Sequence, residues 1–299
     1  MSFTSHYLTC AGRELHYTDW RPAAPVRGTV IAWHGLARTG RDMDELAAHL
    51  SARGWRVLCP DMVGRGLSQW AEHPKDEYCL AFYARIAREL LVQLGIEHCH
   101  WVGTSMGGAI GMVAASGLFE PELRARILSL TLNDNAPELA ATAIERIKAY
   151  AGQPPAFDRV TELEAFLRTA YKPYGFLTDA QWRRLTETST RRLPDGRVTP
   201  HYDPAIVQQF THHPDDYLLW SHYDALAVPV LLLRGAESDL VLRDTAERMT
   251  TRGPGARGQL RWIEVPGCGH APALNVPAQL DVVSNFIGRA ERSVNAIAA

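Results

Sequence analysis

The sequence predicts an α/β fold in which a mostly parallel β-sheet is covered by helices on both faces. Short apolar runs of strand length alternate along the chain with stretches in which apolar residues recur at helical spacing, a pattern typical of strand–helix–strand units. Several runs are continuously apolar, as expected of strands that are buried on both faces. With 299 residues, the chain is long enough for one large α/β domain that carries an insertion.

The predicted elements follow one another in a regular order. Strands are expected at residues 6–9, 15–20, 29–33, 56–59, 98–102, 127–133, 230–234 and 260–265. A helix is expected at 42–53, with Asp42 as its N-cap and Gly54 as its stop. Apolar residues recur at every fourth position between 78 and 94 and predict a second helix. The last helix is expected at about 277–289.

Residues 136–222 interrupt this order. They contain several helical patterns but no convincing buried strand, and they are rich in aromatic residues. We therefore expect an insertion that folds as a helical cap, or lid, while 1–135 and 223–299 form the α/β core. Its aromatic side chains, Phe176 and Trp182 among them, predict an apolar pocket wall that sets the preference for substrate size.

Composition excludes several classes of protein. The formal net charge of −2 gives no electrostatic basis for binding nucleic acid, and no apolar run approaches the roughly 18 residues that a membrane span needs. The 5 cysteines are scattered without metal-binding spacing, which argues against structural zinc or a disulfide framework. The first residues show no secretion signal. We expect a cytoplasmic protein, and the sequence does not indicate its oligomeric state.

Ser105 is the candidate nucleophile. It is the centre of a G-x-S-x-G pattern, Gly103 to Gly107, between a predicted strand and a predicted helix, and this pattern places its serine on a tight turn. Glycines are needed there because a strained serine backbone leaves little room for neighbouring side chains. The alternative is an ordinary turn whose serine only caps the helix.

His270 is the candidate base, since a serine hydroxyl needs a base within hydrogen-bond reach. It lies in a glycine-containing loop between the last predicted strand and the last helix. A carboxylate should fix the tautomer of its imidazole. We select Asp239, which follows the strand at 230–234; the alternatives are Glu237, Asp244 and Asp134. The order serine, acid, histidine fits the order found in one class of triad enzymes.

The oxyanion of an acyl-transfer reaction also needs hydrogen-bond donors. The backbone N–H groups of Met106, just after the nucleophile, and Leu36, in the loop after an early strand, are the candidates. Gly35 would allow the backbone to approach closely. We interpret His34 as a residue that stabilises this loop rather than as a second base.

Together these motifs resemble the α/β-hydrolase superfamily. The resemblance covers about 1–135 and 223–299 and is carried by Trp33-His34-Gly35-Leu36, Asp61-Met62-Val63-Gly64-Arg65-Gly66-Leu67-Ser68, Gly103-Thr104-Ser105-Met106-Gly107-Gly108, Gly235-x-x-x-Asp239 and Gly269-His270. It implies an eight-stranded sheet with a lid, no organic cofactor and no metal. It also assigns the nucleophile to Ser105, the acid to Asp239, the base to His270 and the oxyanion donors to Leu36 and Met106. Haloalkane dehalogenases and epoxide hydrolases have an aspartate at the nucleophile position, so this chain departs from both.

The predicted function is hydrolysis of a small or medium carboxylic ester, as in capped carboxylesterases and in hydrolases of short hydroxyalkanoate oligomers, which the chain also resembles. One alternative is a carbon–carbon bond hydrolase of ring-fission products, whose acidic substrate would favour a fixed arginine; Arg38 is a candidate, unless it is simply solvated. The other is a weakly catalytic ligand sensor, which turnover measurements would distinguish.

Overall fold

The predicted fold class is confirmed by a computed structural model that describes residues 3–23 and 25–298, with side chains described as far as residue 293. Its main sheet has 8 strands in the order β1-β2-β4-β3-β5-β6-β9-β10. The strands are β1 Phe3–Cys10, β2 Arg13–Trp20, β3 Gly28–Trp33, β4 Trp55–Pro60, β5 Cys99–Thr104, β6 Ile127–Asn133, β7 Thr190–Arg192, β8 Val198–Pro200, β9 Val230–Gly235 and β10 Leu260–Val265. The six strands β4, β3, β5, β6, β9 and β10 are parallel to one another. Strand β2 is antiparallel to its neighbours β1 and β4.

Helices cover both faces of this sheet. They are α1 Asp44–Ser51, α2 Pro74–Glu77, α3 Leu80–Gln93, α4 Met106–Ser116, α5 Pro121–Arg124, α6 Ala141–Ala151, α7 Val160–Ala170, α8 Asp179–Thr188, α9 Gln209–His212, α10 Trp220–Ala225, α11 Arg243–Met249, α12 Gly253–Ala256 and α13 Pro277–Ala298. One hydrophobic core lies under α3 and α4, and another lies on the opposite face under α1 and α13. Across the described residues, no helix has both the length and the apolar character needed to cross a membrane.

Two predicted boundaries differ from the structure at the edge that carries the site. β5 continues to Thr104, because Gly103 and Thr104 still pair with Leu132 and Asn133 of β6. The helix predicted at 42–53 is a short 3₁₀ turn at Gly40–Met43 followed by α1. Asp42 does not cap it, because Arg38 binds both oxygens of the Asp42 carboxylate.

The segment between β6 and β9 contains helices α6 to α10 and, contrary to the sequence-based expectation, a small antiparallel hairpin of β7 and β8. Each strand of the hairpin is only a few residues long, too short for a periodic pattern to reveal it. Trp182 does not line a pocket as expected, since it packs in a small core of this segment with Leu163, Leu167 and Val198. Phe176, the other aromatic residue expected in the pocket wall, is 72% exposed.

Candidate active site

Ser105 occupies a strained turn between β5 and α4. Its φ of 52° and ψ of −118° lie outside the regions that non-glycine residues ordinarily adopt. The flanking glycines are required by space. A Cβ at Gly103 would lie 2.2 Å from the carbonyl of Gly107, and one at Gly107 would lie 2.5 Å from the carbonyl oxygen of Trp33. The turn therefore holds the serine side chain at the end of α4 where backbone N–H groups are unpaired.

His270 is brought to Ser105, as the sequence analysis expects. Its loop between β10 and α13 places Nε2 at 2.9 Å from the Ser105 hydroxyl oxygen. Asn133 anchors the next part of this loop, because its amide nitrogen donates to the carbonyl oxygen of Pro272 at 2.8 Å and to the hydroxyl of Thr104 at 3.0 Å. The end of β6 thus holds the histidine loop beside the nucleophile strand.

The carboxylate that contacts His270 is that of Asp134, not of Asp239. Nδ1 of His270 donates to Asp134 Oδ2 over 2.7 Å. Asp134 is fully buried and also accepts hydrogen bonds from the Ser238 hydroxyl at 2.6 Å and the Gly235 N–H at 2.8 Å. The carboxylate is therefore fixed by donors from the loop after β9.

The choice of Asp239 as the partner of His270 is corrected by this geometry. The loop after β9 wraps around Asp134, so Ser238 points inward to it while the next residue, Asp239, lies outside. The Asp239 side chain is 55% exposed and forms an ion pair with Arg146 of α6. That arginine, more than any other neighbour, lowers the pKa of Asp239. The other acidic candidates of this region, Glu237 and Asp244, are exposed as well.

Strand order explains why the sequence analysis selected the wrong carboxylate. Both aspartates follow parallel strands and so lie at the same sheet edge, but β6 is the immediate neighbour of β5, whereas β9 is one strand further away. Asp134 also has a left-handed backbone conformation, since its φ is 49°. Aspartate and asparagine tolerate that conformation better than other non-glycine residues. The sequence signal that could have pointed to Asp134 is the run of polar residues Asn133-Asp134-Asn135 at the end of a buried strand.

Leu36 and Met106 are the predicted oxyanion donors; Met106 directly follows Ser105, and Leu36 follows Gly35. Neither backbone N–H has a hydrogen-bond partner within residues 3–23 and 25–298. The Leu36 loop adjoins the nucleophile, because a Cβ built on Gly35 would be 3.6 Å from Ser105 Cβ. That distance is an ordinary contact, so Gly35 is not required by space there.

His34 holds the Leu36 loop through both ring nitrogens. Nδ1 donates to the Gly35 carbonyl oxygen at 2.6 Å, and Nε2 accepts from the Met62 N–H at 2.9 Å. Burial lowers the pKa of His34 to about 4, which keeps the imidazole neutral near pH 7 and suits one donating and one accepting nitrogen.

Arg65 is a buried residue of the site for which the sequence analysis assigned no role. Its Nε donates to the Leu36 carbonyl oxygen at 2.8 Å, and its Nη2 lies 3.3 Å from the Met106 sulfur. Nη1 donates to the carbonyl oxygen of Val63 and to the hydroxyl of Tyr83. Arg65 is fully buried, and no carboxylate in the described part of the chain forms an ion pair with it. Arg65 therefore contacts both residues that are predicted to donate to the oxyanion, Leu36 and Met106.

Comparison with known proteins identifies relatives over nearly the whole chain. Residues 28–275 match the family described as alpha/beta hydrolase fold. A 3-hydroxybutyrate-oligomer hydrolase from Cupriavidus necator is 39% identical over 90% of this chain and 91% of its own. A non-heme haloperoxidase from Rhodococcus erythropolis is 32% identical over 87% and 90% of the two chains. The crystal structure of an alpha/beta hydrolase from Novosphingobium aromaticivorans, 31% identical, covers 96% of this chain and 98% of its own with a TM-score of 0.80.

Proposed function

The chain belongs to the alpha/beta hydrolase fold family, and from this premise we propose that it is a serine hydrolase that cleaves carboxylic esters through an acyl-enzyme intermediate. One observation carries the proposal. His270 lies between Ser105 and Asp134, with Nε2 at 2.9 Å from the serine oxygen and Nδ1 at 2.7 Å from the carboxylate. Nucleophile, base and orienting acid in this arrangement are the machinery of acyl transfer.

In the first step, Nε2 of His270 accepts the hydroxyl proton as Ser105 Oγ attacks the ester carbonyl carbon. Asp134 stabilises the imidazolium that forms, because its carboxylate accepts the Nδ1 proton. The carbonyl oxygen becomes an oxyanion, to which the N–H groups of Leu36 and Met106 donate. The tetrahedral intermediate then collapses: the carbon–oxygen bond to the alcohol breaks, and the alcohol leaves with the proton that His270 held.

In the second step, water attacks the acyl-enzyme. His270 accepts a proton from this water, the oxyanion forms again at the same donors, and the bond to Ser105 Oγ breaks. The acid product leaves, and the serine recovers its proton from the histidine. No group is oxidised or reduced in either step, and the products are one alcohol and one carboxylic acid.

We infer that the preferred substrates are short esters of hydroxy acids. The support is the 39% identity, over almost the full length, to a protein named for hydrolysis of 3-hydroxybutyrate oligomers, which are linear esters. The segment between β6 and β9 would act as the lid that encloses them. Tyr171 of that segment lies against Arg38 of the core at 4.5 Å between ring centroid and guanidinium carbon, so its surface faces the loop that follows β3.

A substrate screen tests this proposal against its alternatives. The purified protein would be assayed with p-nitrophenyl esters of increasing chain length, with linear 3-hydroxybutyrate dimers and trimers, and with a ring-fission dienoate. We expect turnover of the esters and oligomers. Cleavage of the dienoate alone would instead assign carbon–carbon hydrolysis, and tight binding of ligands without turnover would indicate a sensor.

Arg65 offers a test of the oxyanion site that does not touch the triad. Changing Arg65→Lys keeps the charge but removes the planar fork that reaches both Leu36 and Met106. We expect kcat to fall by about 10²-fold, the scale of one lost oxyanion donor, while KM changes little. Steady-state kinetics with p-nitrophenyl butyrate would measure this, alongside the melting temperature.

Tyr83→Phe is the matched control for Arg65→Lys. It deletes a hydroxyl that contacts Arg65 Nη1 but leaves the contacts to Leu36 and Met106 in place. Its kcat should stay within about threefold of the wild-type value, a difference of under 1 kcal/mol. Equal losses of kcat in both variants would mean that Arg65 acts only through general stability.

A further inference from the structure

We propose that Arg38 and the tyrosines around it form a subsite for a carboxylate on the substrate, so that the enzyme prefers hydroxy-acid esters with a free terminal carboxyl group. The inference rests on the proposed ester hydrolysis at Ser105 and names the feature that distinguishes the preferred esters. The observation that carries it is a set of donor groups without hydrogen-bond partners among the described residues, on Arg38 and on the tyrosines near it.

Arg38 lies close to the loop that contacts Ser105. It follows the Leu36 loop, and it is only 4% exposed, so it is not the solvated arginine that was considered as an alternative. A Cβ built on Gly35 would lie 3.6 Å from Ser105 Cβ and 3.8 Å from Arg38 Cγ. The stem of Arg38 and the nucleophile therefore border the same small space.

One edge of the Arg38 guanidinium is occupied and the other is open. Nε and Nη2 donate to Asp42 over 2.7 and 2.6 Å. Nη1 has no hydrogen-bond partner among the described residues, and it is not one of the fully enclosed polar atoms. The Nη1–Nη2 edge of an arginine can bind a second carboxylate through two parallel N–H groups. An anion there would contact the guanidinium directly, whereas Asp42 binds the neighbouring edge through Nε and one N–H of Nη2.

Several tyrosines of the segment between β6 and β9 lie near Arg38. The Tyr171 ring packs against the guanidinium. The ring centroids of Tyr171 and Tyr174 are 4.9 Å apart. Arg38 is one of the charges near Tyr150 and Tyr202. Tyr202 is buried, which raises the pKa of its phenol, whereas Tyr150 is 45% exposed. Tyr202 is therefore a protonated donor near neutral pH. In the part of the chain that the structure describes, none of these hydroxyls has a hydrogen-bond partner.

Arg146 is the competing cation at this end of the molecule. It also lies near Tyr150, but its side chain is 54% exposed and pairs with the exposed Asp239. Water screens a charge at such a position, and exposed pairs contribute little. A buried donor edge discriminates more strongly, because leaving it unpaired is costly. The structure thus favours Arg38 over Arg146 as the carboxylate ligand.

The test compares a linear 3-hydroxybutyrate dimer with its methyl ester, which differ only in the terminal charge. For the wild type we expect kcat/KM to be about 10- to 100-fold higher for the free acid, the range of a charge-assisted hydrogen bond. Arg38→Gln should bring this ratio close to one. Free 3-hydroxybutyrate should inhibit the wild type competitively, and its methyl ester should inhibit much more weakly.

Two further variants keep the result interpretable. Arg38→Gln combined with Asp42→Asn avoids leaving the partly buried Asp42 carboxylate unpaired and should show the same lost ratio in a folded protein, as judged by thermal melting. Arg146→Gln should retain the wild-type ratio. A wild type that does not distinguish the two dimers, or a ratio lost in Arg146→Gln but kept in Arg38→Gln, overturns the subsite. Hydrolysis of p-nitrophenyl butyrate alongside that result leaves ester hydrolysis standing, whereas failure with every ester overturns both.

Discussion

Replacing Ser105 by alanine is expected to lower kcat/KM for p-nitrophenyl butyrate by about 10⁶-fold, the scale of the loss in kcat when the triad serine of one serine protease is removed. The change deletes the one oxygen that lies 2.9 Å from Nε2 of His270. Alanine should adopt the turn conformation with about the same backbone strain as serine, since both residues have a Cβ at this positive φ. Initial rates over a range of substrate concentrations would measure the loss.

The control for this variant is Thr104→Ser, at the neighbouring position. Thr104 donates to the Met43 sulfur at 3.9 Å and accepts from Asn133, and serine keeps that hydroxyl. Its activity should stay within about threefold of the wild type. A folded Ser105→Ala variant that kept a tenth of the wild-type kcat/KM would remove Ser105 from the mechanism.

Asp134→Asn is expected to be the second most damaging change. An amide at this position cannot accept the Nδ1 proton of His270 as the carboxylate does, and it favours the wrong tautomer of the imidazole. The loss in kcat should be about 10⁴-fold, as measured for the equivalent change in one serine protease. The amide keeps the size and shape of the carboxylate, and the equivalent change in one serine protease leaves the geometry intact, so the protein should still fold. Steady-state kinetics and a thermal melt would test both expectations.

Asp239→Asn is the matched comparison. It removes the charge of an exposed ion pair with Arg146, a kind of interaction that typically contributes less than about 1 kcal/mol. We expect kcat within about threefold of the wild type. If Asp239→Asn were the variant that lost several orders of magnitude, the acid of the triad would have to be reassigned to it.

The parts of the site that could be predicted from sequence are those with a local signature. The strand, the G-x-S-x-G turn and the helix after it are contiguous, so Ser105 and Met106 are positioned by the backbone that contains them. His270 follows the last strand in a glycine-containing loop, and loops at this sheet edge converge on the nucleophile. The number of strands in the sheet, eight, was implied by the resemblance to a family, and most strands were located by short apolar runs of buried residues.

The parts that could not be predicted depend on contacts between distant segments. Whether Asp134 or Asp239 reaches His270 depends on which way the loop after β9 folds, and the Ser238 hydroxyl bonded to Asp134 decides it. Arg65 has no signal in the sequence, and for Arg38 the sequence left a solvated side chain open as the alternative, because arginines are mostly exposed. Their burial results from packing against Tyr83 in one case and Tyr171 in the other.

The measurement that tests the proposed mechanism most directly is covalent trapping of the nucleophile. The protein would be incubated with a fluorophosphonate ester, which reacts with an activated serine, and the adduct located by peptide mass spectrometry. We expect one phosphonyl group per chain on Ser105, and esterase activity should fall in proportion to the fraction labelled. The labelling rate of Asp134→Asn should be lower than that of the wild type by about 10²-fold or more. Stoichiometric labelling at another residue, or full inactivation without an adduct on Ser105, would contradict the mechanism.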